Sequence, residues 1–141
     1  MGYYIDQVGS NFFIRKENIQ SAWDALIKLF KTEEKSILDS SGYHYSWIDT
    51  DTVLNAKTFI EAMSEARWDM EEDDNGNIDS IYFNGEKYGD EEIILGAIAP
   101  FVEPGSYIEI QGEEYDRWRW EFKDGMLYEV YGKWVWNDEE G

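Results

Sequence analysis

The chain has 141 residues, with 12 basic against 31 acidic side chains, a formal net charge of −19, one histidine and no cysteine. One domain of this length can bury about 68–70% of its unfolded surface without a metal or disulfide staple, and 43% hydrophobic residues, 17% of the chain being aromatic, supply a core that a disordered acidic tail lacks. The charge argues against nucleic-acid or anionic-membrane binding, which need clustered Lys and Arg, and the longest apolar run, Ile93 to Val102, has ten residues against the roughly 20 of a membrane-spanning helix.

Tyr3 to Val8 and Phe12 to Lys16 read as strands separated by Gly9-Ser10-Asn11, a hairpin pattern. The first residues carry neither the basic nor the apolar region of a signal peptide, so a reducing cytoplasm is the expected location. From Asn18, a cap residue, apolar side chains recur at Ile19, Ala22, Trp23, Leu26, Ile27 and Phe30, which predicts a helix. Lys28, Lys31 and Lys35 gather toward its end, where cations suit the dipole. Residues 33–54 are mostly polar around an aromatic island, Tyr43 to Ile48, and carry no clear period. A second helix is expected from Ala56 to Ala66, capped by Asn55.

Arg67 to Glu72 and Ile78 to Phe83 then read as strands flanking Asp74-Asn75-Gly76-Asn77, with Asn-Gly as a two-residue hairpin turn. Asp90 caps a third predicted helix through Ile93, Ile94, Ala97 and Ile98, stopped near Pro100. Ser106 to Gly112, Arg117 to Lys123 and Met126 to Tyr131 alternate with period two, Asp124-Gly125 supplies a hairpin turn, and Lys133 to Trp136 follows as a short final segment. The pattern predicts a single α+β domain over residues 1–141, a mainly antiparallel sheet with about three helices packed on it.

Glu71 to Asp79 imitates the opening of a calcium loop. Aligned on Gly76, however, the closing position falls on Tyr82, which has no carboxylate, and both flanks alternate as strands, so a hairpin without metal is expected. His44 stands alone, which excludes a histidine metal cluster, and Ser40, Ser41 and Ser46 lack a nucleophile elbow. A pair of carboxylates with Trp residues could serve a glycosidase or a sugar-binding pocket, but Trp118, Trp120 and Phe122 on one strand face fit a sheet core. Arg117 and Arg119, on the other face, match Glu109, Glu121 and Glu129 as cross-strand partners.

Ser10-Asn11-Phe12-Phe13-Ile14 with Glu17-Asn18, Gly85 to Glu91, Gly105 to Ile110 and Trp118 to Phe122 resemble a family of small, acidic, uncharacterised bacterial proteins. More loosely, the size and charge are similar to those of toxin-immunity proteins and phage-encoded inhibitors. Residues 1–65 carry a net charge of −4 and residues 66–141 a net charge of −15. The expected function is therefore non-catalytic binding of a basic protein partner, with no cofactor, no metal and no direct contact to nucleic acid or membrane. Its expected surface combines Glu71, Glu72, Asp73 and Asp74 with Asp90, Glu91 and Glu92, the densest acid of the chain. The alternative is a small-ligand or carbohydrate-binding domain with an aromatic-lined pocket.

Overall fold

In the computed structural model, residues 2–31, 37–39, 42–44 and 48–132 are described, the segments 37–39 and 42–44 by their backbone. Lys35, Tyr45 to Trp47 and Lys133 to Trp136, which the sequence reading covered, lie outside them.

Ile5–Asn11 forms one strand, β1, so the expected N-terminal hairpin does not exist. Its partner comes from far along the chain, Ile5 facing Gly112 and Asn11 facing Tyr107. The register shifts between Gln7 and Gly9, which marks a bulge at Val8. Gly9 signals that bulge and not a turn. Helix α1, Lys16–Lys31, starts before Asn18, because the amide of Lys16 donates to Asn77 Oδ1 at 2.9 Å, a cap delivered from a distant segment. The aperiodic stretch 33–54 holds two short strands, β2 (Ile37–Asp39) and β3 (Gly42–His44), and a helix that the sequence reading missed, α2 (Thr50–Leu54), capped by Asp49. Asn55 closes α2 instead of opening the next helix. That helix, α3 (Phe59–Glu65), begins at Thr58, whose Oγ1 accepts from the Glu61 amide at 3.0 Å.

Strands β4 (Trp68–Glu72) and β5 (Ile78–Phe83) form the expected hairpin, Trp68 opposite Phe83. Its turn is wider than a two-residue one. The Gly76 amide donates to the Asp73 carbonyl at 3.2 Å and the Asp73 amide to the Asn77 carbonyl at 2.8 Å, and of Asn75 and Gly76 only Gly76 takes positive φ, +87°. A tight turn plus a left-handed glycine is the usual three-residue hairpin solution. Helix α4 (Glu91–Ile98) runs into a 3₁₀ turn, Ala99–Phe101, that absorbs Pro100. A meander of β6 (Tyr107–Gly112), β7 (Arg117–Lys123) and β8 (Met126–Tyr131) completes the described residues, with Asp124 (φ +57°) and Gly125 (φ +72°) making the tight turn expected there.

The architecture is the expected α+β one, with four α-helices and only antiparallel strand pairs among the described residues, the strands forming sheets β1-β6-β7-β8, β4-β5 and β2-β3. β1 also runs antiparallel beside β5. Ile14 and Ile78 exchange two backbone hydrogen bonds of 2.9 Å, the Ile5 amide donates to Glu86 at 2.9 Å and the Tyr88 amide to Tyr3 at 2.7 Å. Between these rungs the Gln7 side chain fills the gap, donating from Nε2 to the Ile81 carbonyl at 2.8 Å and accepting at Oε1 from the Phe83 amide at 2.9 Å. The two sheets thus act as one twisted layer. Against it pack Ala22, Leu26 and Phe30 of α1, Phe59, Ala62 and Met63 of α3, and Ile94, Leu95 and Ile98 of α4. Trp68, Ile108, Trp120 and Phe122 face them from the strands, all but excluded from solvent.

Candidate functional site

The acidic residues singled out by sequence do not form one surface. Glu91 is 2% exposed and ion-paired at 2.7 Å through its Oε2 to Nη1 of Arg67, a buried residue preceding β4, so it leaves the expected set. Its other oxygen accepts from the Gly89 amide at 2.6 Å. Burial raises the Glu91 carboxyl above its ordinary value despite Arg67 and that amide, and burial lowers the Arg67 guanidinium below its own. Arg67 Nη2 also donates to the Lys87 carbonyl. Glu92 accepts from the Tyr88 hydroxyl, and Asp90 sits half-buried at the helix cap without a side-chain capping bond. Asp73 lies at the other end of the hairpin, six residues from Arg67, or about 20 Å at strand rise.

Asp73 is committed to its own turn. Desolvation pushes its carboxyl up, but the Asn75 amide, the Asn77 side-chain and backbone amides and the Gly76 amide together hold it below its ordinary value. The calcium-like spacing thus folds as a hairpin with an internally bonded aspartate. Among the described residues no group of three or more acidic or histidine side chains could hold a metal ion.

Glu71, Glu72 and Asp74 remain exposed, and Glu71 and Glu72 stand on the rim of a groove of about 740 Å³. Helix α1 contributes Ile19, Gln20 and Trp23, the start of α3 contributes Thr58, Phe59 and Ile60, and the end of β4 contributes Met70 with the two glutamates. The Thr58 cap positions this wall. Glu61 reaches back to the Lys57 amide at 3.4 Å, so the first turn of α3, with Phe59 and Ile60, is held from both ends. Three consecutive strand residues point alternately to opposite faces. Met70, Glu71 and Glu72 all line the groove, which therefore follows the end of β4, where the register with β5 shifts between Glu71 and Glu72. Among the described residues neither Glu71 nor Glu72 is in an ion pair. The helical spacing groups Ile19 and Trp23 with Ala22, Leu26 and Phe30 and does not reveal the groove, because Ile19 and Trp23 are only partly buried; the width of that apolar arc was the available signal.

A second, smaller cleft of about 300 Å³ lies on the outer face of β6, β7 and β8. There Glu109 binds Arg117 Nη1 at 2.8 Å and Arg119 Nε at 2.9 Å, and these bonds, Arg119 foremost, outweigh desolvation and keep its carboxyl below the ordinary range. Arg119 also lies 4.3 Å above the Tyr107 ring. Trp120 turns the other way, into the core, where its Nε1 donates to Glu129 at 2.9 Å, and Trp118, also buried, borders the cleft.

No helix among the described residues is long and apolar enough to cross a membrane. No family model, curated protein or solved structure matches the chain.

Proposed function

We propose that the chain is a non-catalytic binding domain for a basic protein partner, received at the groove between α1, α3 and β4. The observation that carries this reading is the pairing of an apolar floor with two exposed carboxylates, Glu71 and Glu72, that no cation of the described residues neutralises. Apolar floor supplies burial, and the uncompensated acids select and steer a cationic partner. The reading takes the chain as one of the small acidic bacterial proteins it resembles, acting in the cytoplasm as an immunity or inhibitor protein without direct contact to nucleic acid. For the ligand-binding alternative, Trp120 is fully buried, and Trp118, which borders the cleft on β6, β7 and β8, is 6% exposed.

Partner capture with the intact chain and with the double variant Glu71→Lys, Glu72→Lys tests it. A basic protein retained by the first and lost by the second is the expected result. Partners retained equally by both would overturn the reading.

A further inference from the structure

We infer that the partner enters the groove as an extended basic segment that adds a strand to the free edge of β4. This deepens the groove reading and rests on it. The argument begins with the bonds of β5. Gln7 takes the Ile81 carbonyl and the Phe83 amide, so residues 81 and 83 direct their backbone groups to β1, and Ser80 and Tyr82 direct theirs to β4. Ser80 stands opposite Glu71, and Tyr82 opposite Asp69. Because backbone groups alternate along a strand, Trp68, Met70 and Glu72 turn their amides and carbonyls away from β5. The ends of the hairpin agree with this phase: the Asp73 amide bonds inward to Asn77, and the Arg67 carbonyl accepts inward from Asn84. On the outer side, no partner among the described residues takes up the backbone of Met70 or Glu72, and both residues line the groove.

Side chains set which strand fits. Met70 faces the core side, so the apolar residues of an added strand would point to Ile60 and Trp23, while the alternate residues would lie beside Asp69 and Glu71. Lys or Arg at those positions meets opposite charge. A second copy of β4 would bring Asp69, Glu71 and Glu72 against the same residues, and like charges directly opposite oppose pairing. The acids therefore guard the edge against self-association while admitting a basic strand.

The probe is the blocked octapeptide acetyl-(Lys-Val)₄-amide, compared by calorimetry with the same peptide N-methylated at every residue, which keeps charge and side chains but removes the backbone donors. The expected result is binding of the first peptide, at least tenfold weaker binding of the second, and slowed hydrogen exchange at the Met70 amide. Both affinities should fall in Glu71→Lys, Glu72→Lys, whose fold circular dichroism checks. If the two peptides bind within threefold of each other, or Met70 exchange is unchanged, while the double variant still weakens binding, strand addition is overturned and the acidic groove stands. If neither peptide binds, or the double variant changes nothing, the groove reading falls with it.

Discussion

The Arg67–Glu91 pair concentrates energetic risk at two side chains. Both are nearly excluded from water, with 7% and 2% of their side chains exposed, and each depends on the other for its counter-charge. Removing one partner of such a pair typically costs about 3–5 kcal/mol, because the other stays buried and uncompensated. Glu91→Ala should lower stability by that amount in urea unfolding, and Glu91→Gln, which keeps an acceptor for Arg67, by less. The pair also sets a pH dependence. Because the folded carboxyl of Glu91 titrates above its ordinary value, the native state holds a proton that the unfolded chain has released, and stability falls as pH rises through that window. Asp73 and Glu109, both depressed, act oppositely: their contribution is present above the ordinary carboxylate value and is lost as pH falls below about 4. Urea midpoints measured from pH 3 to 7 should therefore pass through a maximum, and Glu91→Gln should flatten its high-pH side. Gly85 is tied to the same pair, since a Cβ there would overlap the Arg67 guanidinium. Gly85→Ala should cost about 1–3 kcal/mol by thermal unfolding.

At the scale of elements, local patterns were legible where the chain satisfies itself and illegible where a distant segment does the work. The boundaries of β7 and β8 and the turn at Asp124-Gly125 follow from period-two alternation and turn chemistry alone. The start of α1 does not, because its cap is Asn77, a residue of another hairpin. Thr58-Phe59-Ile60-Glu61 carries a readable capping pattern that places the start of α3 after Asn55, and α2 was obscured by its five-residue length. The site was half legible for a related reason: charge density along the chain found Glu71 and Glu72, but only tertiary packing decides that Glu91 is buried and that α1 and α3 stand apart over β4. Asn77→Ala tests the borrowed cap. It should destabilise the chain by about 1 kcal/mol, as loss of a helix cap does.

For the whole molecule the dominant quantity is a net charge of −19 on 141 residues. Self-repulsion of that size opposes the compact state, whereas the exposed ion pair Arg15–Glu103, at 2.8 Å, contributes little. Raising ionic strength from about 0.01 to 0.15 M shortens the screening length from about 30 to 8 Å, so the melting temperature should rise. A fall would show that local ion pairs outweigh the global field. The same screening should slow association with a basic partner more than it speeds dissociation.

The place of β1 carries a consequence for the order in which the fold is made. Among the described strands β1 comes earliest in the chain, yet it lies in the middle of the layer, between β5 and β6, and neither neighbour exists until residues 78–83 and 107–112 have emerged. β1 is therefore made before either of the strands that pair with it. Contacts of such long sequence separation slow folding toward the millisecond-to-second range. A chain interrupted before β6 cannot build the central β1–β6 pairing, so β1 is paired on both sides only once residues 107–112 have been made.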